Sequence, residues 1–187
     1  RSLDALVHVI GDQFGERPGN YLAFFSSFDY LEQALARLRE TQPQLPVWSQ
    51  TRGMAEADRD DFVARFVDGG QGIGFAVLGG AFGEGIDLPG ERLVGAFIAT
   101  LGLPPVSVTQ DNAENERMRE RLQQTTGHGY DDTYLIPGLM KVVQAAGRVI
   151  RSEQDRGVVW LMDDRYARAE VRRLLPSWWR VGLAQPL

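Results

Sequence analysis

The chain has 187 residues, 43% of them hydrophobic, and a formal net charge of −5, which suits one globular domain with a sizeable core and excludes a disordered or fibrous chain. The absence of cysteine removes disulfides, thiolate nucleophiles and cysteine-ligated zinc or iron–sulfur clusters, and two histidines, His8 and His128, are too few for a His-rich metal site. No apolar run has the length of a membrane-spanning helix and Arg1-Ser2-Leu3 lacks a signal-peptide pattern, so a cytoplasmic chain with no membrane partner is expected, its non-Met start predicting a fragment or processed product.

Leu3, Leu6, Val7, Ile10 and Phe14 recur at helical spacing and predict an opening helix that ends in the turn over residues 15–20. The apolar run Tyr21–Phe25 predicts a strand, and Ser26-Ser27 leads into a helix reaching about Glu40, with the serines as candidate caps. Pro46-Val47-Trp48 is a second strand, Ala55–Val67 a second helix and Gly72–Leu78 a third strand. A Gly-rich loop spans residues 79–90, followed by strands at Leu93–Ala99 and Val158–Met162. Continuous apolar runs separated by helices imply an α/β domain whose mainly parallel sheet is covered on both faces. The stretch Pro104–Pro137 breaks this rhythm with a charged segment, 112–124, of exposed-helix composition, and reads as a helical insertion in a single domain.

Three segments carry candidate chemistry. Within residues 139–151, a helical reading puts Leu139, Val142, Val143, Ala146, Val149 and Ile150 on one side, and Lys141, Gln144, Arg148 and Arg151 on the other. A solvated face usually mixes signs, so an acid-free cationic stripe suits a polyanion such as triphosphate, and Gly147 beside Arg148 leaves room for close approach. A surface helix carrying two arginines by chance remains open on periodicity alone. Gly79–Gly90 runs from a strand into a loop bearing Glu84 and Asp87, where an open α/β sheet can hold a ribose hydroxyl; a flexible Gly-rich turn is the alternative. Ser26 and Ser27 precede a helix N-terminus, whose free N–H groups and dipole attract a phosphate, although a plain serine cap needs no ligand. No Gly-x-x-x-x-Gly-Lys-Ser/Thr segment occurs, so nucleotide phosphates have no P-loop in these residues.

Together and in this order, the segments resemble motifs four, five and six of superfamily 2 helicases. Gln144-Ala145-Ala146-Gly147-Arg148-Val149-Ile150-Arg151-Ser152, then Asp155-Arg156-Gly157 and Asp163-Asp164-Arg165-Tyr166, is similar to the DinG and XPD type in particular. So is Phe82-Gly83-Glu84-Gly85-Ile86-Asp87-Leu88-Pro89-Gly90, with Gly83 where that family often has Trp. The resemblance covers about residues 19–178 and implies the second, RecA-like lobe of a DNA-repair or replication helicase, a three-layer fold in which ATP lies between two lobes. It implies that Arg148 and Arg151 reach the γ-phosphate as arginine fingers, that Gln144 helps to position them, and that Gly83, Glu84, Gly85, Asp87 and Gly147 lie about the nucleotide, with Asp87 near the ribose. It also implies that Ser26, Ser27, Gln50 and Thr100 contact phosphates of single-stranded DNA. The N-terminal lobe would supply the P-loop, the acid that binds Mg2+ and often an iron–sulfur cluster, which this cysteine-free chain cannot hold. Two other readings compete: a stand-alone nucleotide-binding α/β module, and a non-catalytic interaction domain whose partner patch is Trp178-Trp179.

Overall fold

The computed structural model describes residues 3–80, 82, 93–103, 110–149 and 157–182. Five strands, β1 (Asn20–Phe25), β2 (Val47–Ser49), β3 (Gly72–Val77), β4 (Gly95–Ile98) and β5 (Val158–Leu161), form one sheet in the order β2-β3-β1-β4-β5. Every pairing is parallel. The three central strands are buried almost throughout, as expected where helices cover both faces of a parallel sheet.

Alternation along β1 separates the two faces. Tyr21, Ala23 and Phe25 join a core made with α1 (Leu3–Glu16) and α2 (Phe28–Thr41). Leu22 and Phe24 point to the other core, closed by α3 (Glu56–Ala64), α5 (Ile136–Ala146) and α6 (Ala169–Arg173). The helical spacing predicted for α1 is seen in the burial of Leu6, Val7, Ile10 and Phe14. Buried Gln13 ties that helix to two strands: its amide donates to the Tyr21 hydroxyl at 3.3 Å, and its oxygen accepts from Trp160 Nε1 at 2.8 Å.

The crossover from β4 to β5 carries α4 (Gln110–Thr126), a π-helical turn over Asp131–Leu135, and α5. The exposed helix expected within 112–124 is present, and polar contacts hold it against the π turn. Tyr134 donates to Glu116 at 2.7 Å, and Thr126 donates to Asp132 at 2.9 Å. Helix α5 follows the π turn without a break, Ile136 N–H reaching back to Asp131 O, and Pro137 sits in its first turn, next to the π-type bonding.

Helix α5 is shorter than its periodicity predicts. It ends at Ala146 and not at Arg151, with Gly147 as its C-cap, and the next amides switch to tighter bonds: Arg148 N–H to Ala145 O at 3.1 Å and Val149 N–H to Ala146 O at 3.0 Å. Glycine is a weak helix former, and the chain must reverse there to enter β5. The apolar face itself is as predicted: Leu139, Val142, Ala146 and Val149 are buried and Val143 half-buried.

Candidate functional site

In a parallel sheet all strands leave at one edge, and four candidate residues stand there because each follows a strand directly. Ser26 and Ser27 follow β1, Gln50 follows β2 and Thr100 lies two residues past β4. The register Phe24↔Ile98, continued two residues, brings Ser26 opposite Thr100. Their side chains are not equivalent. Ser26 is exposed. Ser27 caps α2, its Oγ accepting from Tyr30 N–H at 3.2 Å, which leaves its own O–H as a donor. The Gln50 oxygen accepts from Val77 N–H at 2.9 Å and so bridges the ends of β2 and β3. Thr100 is 3% exposed, its hydroxyl accepting from Gly102 N–H at 3.1 Å.

Below Thr100 a second set of contacts fixes the loop. The Tyr166 hydroxyl donates to Thr100 O at 2.7 Å, and burial holds the phenol well above its ordinary range, so it stays protonated. Tyr166 is held by the turn after β5. There Arg165 forks onto Asp163, Nε to Oδ1 at 2.8 Å and a terminal nitrogen to Oδ2 at 2.6 Å, while Arg165 N–H also reaches Oδ1 at 3.0 Å. Burial alone would raise the Asp163 carboxyl, but these bonds outweigh it and hold the group below its ordinary range. The sequence Asp163-Asp164-Arg165-Tyr166 thus braces the carboxyl edge.

Helix α5 starts at this same edge. Gly102 adopts φ +75°, and a Cβ there would stand 2.2 Å from Gly138 O, so the loop after β4 and the first turns of α5 touch through backbone. From this contact α5 runs back against the strand direction to reach the start of β5. Lys141, one turn in, lies against Gly79 just after β3. Gln144 is exposed and Arg148 half-buried at the distal end. Gly147 lies nine residues beyond Gly138, roughly 13 Å further along the axis. The described candidates therefore fall into two zones: Ser26, Ser27, Gln50 and Thr100 on the carboxyl edge, and Gln144, Gly147 and Arg148 at the far end of α5. Gly83, Glu84, Gly85, Asp87 and Arg151 lie outside the described residues.

Two contacts have no local signature in the sequence. One is Lys141 against Gly79. The other is Arg52, which pairs with Asp29 and lies over the Phe28 ring at 5.1 Å, adding a cation beside the Ser26-Ser27 turn. Only the spacing of β1, α2 and β2 in three dimensions brings Arg52 there. Among the described residues no group of His, Cys, Asp or Glu could hold a metal ion, and no helix is long and apolar enough to cross a membrane.

The helicase C-terminal domain family matches residues 10–182. A probable ATP-dependent helicase of Methanocaldococcus jannaschii is 31% identical over 167 residues, covering 80% of this chain and 24% of that protein. The XPD helicase subunit of the general transcription and DNA repair factor IIH of Arabidopsis thaliana is 31% identical over 169 residues, covering 86% of this chain and 22% of that protein. The chain thus spans about a quarter or less of the length of these relatives. Among solved structures, apo XPD superposes with a TM-score of 0.70 at 20% identity, over 94% of this chain and 35% of that one, so the fold is the RecA-like three-layer sandwich.

Proposed function

We infer, because this chain belongs to the helicase C-terminal domain family, in its DinG- and XPD-like branch, that it is the second motor lobe of an ATP-dependent DNA helicase. The observation that carries this reading is the separation of the two zones by α5. A motor of this kind needs one surface for a nucleic-acid strand and another for the nucleotide, joined by an element stiff enough to move both together. Helix α5 has that form, with its first turns locked by backbone contact to the carboxyl edge and its cationic end one helix-length away.

In this reading ATP is the substrate, held between lobes. These 187 residues contain no P-loop, so the triphosphate cradle and the Mg2+-binding acid belong to an N-terminal lobe, as would any iron–sulfur cluster. The residues here that suit the triphosphate are Arg148 and Arg151, whose planar guanidinium forks match phosphate oxygens, with Gln144 positioning them and Gly147 allowing close approach. Charge delivered to the transferring phosphoryl group stabilises its transition state, an effect of roughly 10³ to 10⁵ in turnover where arginine fingers operate. Gly83, Glu84, Gly85 and Asp87 are proposed to meet the nucleoside, Asp87 at the ribose.

Single-stranded DNA is proposed to cross the carboxyl edge. Ser26 is exposed and Ser27 keeps a free O–H while capping α2, so both can donate to phosphate oxygens without base preference. Gln50 and Thr100 would act mainly through the backbone they hold, since the Gln50 oxygen and Thr100 hydroxyl already accept from Val77 and Gly102.

The test uses the full-length protein that carries this lobe. Arg148→Ala and Arg151→Ala should each depress DNA-stimulated ATP turnover by about a thousandfold or more, by the magnitude given above, with little change in affinity for single-stranded DNA. The 187-residue chain alone should hydrolyse no ATP. Normal turnover in both variants, or DNA-stimulated turnover by the isolated chain, overturns the reading.

A further inference from the structure

The segment beyond β5 departs from the acidic character of the chain. Residues 166–182 hold Arg168, Arg172, Arg173 and Arg180 against a single acid, Glu170, in a chain of net charge −5. All four arginines are exposed, and among the described residues none has a carboxylate partner within ion-pair distance. The chain folds back on itself here: Val171 and Leu175 are buried in the core, and Arg172 donates to Val181 O at 3.1 Å, which holds the stretch bearing Arg180 beside α6. In the bend between them, Trp179 N–H bonds Pro176 O at 3.0 Å.

The two tryptophans of this bend part company. Trp179 is half-buried and packs on the core, whereas Trp178 is 63% exposed, the most exposed large hydrophobic side chain among the described residues. Their rings meet edge to face, centroids 6.0 Å apart and planes at 87°, so the anchored ring braces the exposed one. An indole held in water by its neighbour, on a segment that carries four exposed arginines, has the two elements of a single-strand platform: a π-face for a base and cations for the flanking phosphates. An acidic protein partner would match the charge but does not call for an exposed, braced aromatic face.

We propose that Trp178, with Arg168, Arg173 and Arg180, forms a second single-stranded nucleic-acid contact, in which a base stacks on Trp178 and the arginines hold its neighbouring phosphates. The segment starts at the carboxyl end of β5, an outer strand of the sheet, where Tyr166 bonds Thr100 O. The choice of a single strand as occupant rests on the motor-lobe reading above; the contact itself is tested without nucleotide or a second lobe.

The experiment measures fluorescence anisotropy of a labelled oligo-dT titrated with the 187-residue chain across a salt series, with melting curves to confirm folding. Trp178→Leu should weaken binding about fivefold or more, Trp178→Phe should keep most of it, and both should melt near the parent because the side chain is exposed. Arg168→Gln with Arg173→Gln should make the plot of log affinity against log salt shallower by about 1.4, from the loss of two phosphate contacts at roughly 0.7 each. Parent affinity in Trp178→Leu together with a parent salt slope in the double variant overturns the proposal. So does binding of an acidic peptide that depends on Trp178 while oligo-dT binding does not. If these variants bind like the parent while Ser27→Asn binds DNA less tightly, this platform is wrong and the carboxyl-edge reading stands.

Discussion

Replacing Gly102 by alanine tests the seat of α5 on the carboxyl edge. Two separate costs are expected. The backbone at Gly102 has φ +75°, a left-handed conformation that costs a Cβ-bearing residue about 1–2 kcal/mol. The added Cβ would also stand 2.2 Å from Gly138 O and 2.8 Å from Gly138 C, and backbone in the first turn of a helix packed on the core cannot swing aside as a side chain would. Overpacking of this kind costs about 1–3 kcal/mol, which brings the sum to about 2–5 kcal/mol. For a domain of this size each kcal/mol lowers Tm by about 2–4 °C, so Gly102→Ala should melt roughly 4–20 °C lower. Two companions separate the terms. Gly53 has φ +63° with nothing within 4 Å of its would-be Cβ, so Gly53→Ala carries the conformational cost alone, about 1–2 kcal/mol. Gly138 is helical, and its Cβ would meet Leu101 O at 2.8 Å, so Gly138→Ala carries the crowding alone, about 1–3 kcal/mol. The assay is thermal unfolding followed by circular dichroism. If Gly102→Ala melts no lower than Gly53→Ala, the loop and α5 are not locked together and the rigid coupling of the two zones fails.

Ser27→Ala should lose the cap on Tyr30 N–H and about 0.5–2 kcal/mol of stability, whereas Ser27→Asn keeps the cap and melts like the parent yet binds single-stranded DNA less tightly, with an unchanged salt slope because no charge is removed. Parent DNA affinity in both variants, measured by anisotropy, would leave Ser27 a cap and nothing more. Tyr166→Phe removes the donor to the buried Thr100 carbonyl and should cost about 1–3 kcal/mol, read as a lower midpoint in urea with an unchanged slope. Asp163 gives a pH dependence: its carboxyl is held below the ordinary value, so the folded state binds its proton less readily than the unfolded chain does. The stability it adds is complete above the unfolded-state pKa and fades as pH falls from there through the lower folded-state value. Asp163→Asn should therefore melt lower than the parent at neutral pH, with the gap closing below about pH 4; a constant gap across that range would show that the Arg165 fork contributes no linked stability.

Local rules made much of this chain legible before any coordinates. Continuous apolar runs separated by helical periods yielded five parallel strands in the right places, because a strand covered on both faces needs apolar side chains throughout and a helix repeats its buried face every 3.6 residues. Serine before a helix is a short-range signal too, and Ser27 is the cap it suggested. The resemblance to a helicase lobe was likewise carried by short segments whose residue order does not depend on packing. Periodicity failed at the end of α5, since it continues past Gly147 while the helical hydrogen bonding gives way to tighter bonds from Arg148 on, and so it set Lys141, Gln144, Arg148 and Arg151 on one stripe where the helix in fact stops at Ala146.

What only the tertiary structure decided is which candidates share a surface. The resemblance offers Thr100 as a phosphate contact, but Tyr166, 66 residues away, bonds its carbonyl, and the side chain turns in to hold Gly102. Lys141 belongs to the helix that leads to Arg148, yet it lies at Gly79, near the opposite zone. Trp178 and Trp179 are adjacent and chemically identical, and only the packing of α6 leaves one in water and half-buries the other. Each of these outcomes depends on contacts between segments far apart in the chain, whose distances are set by the closing of the whole sheet and its two helical layers, and no period or cap within a single segment encodes them.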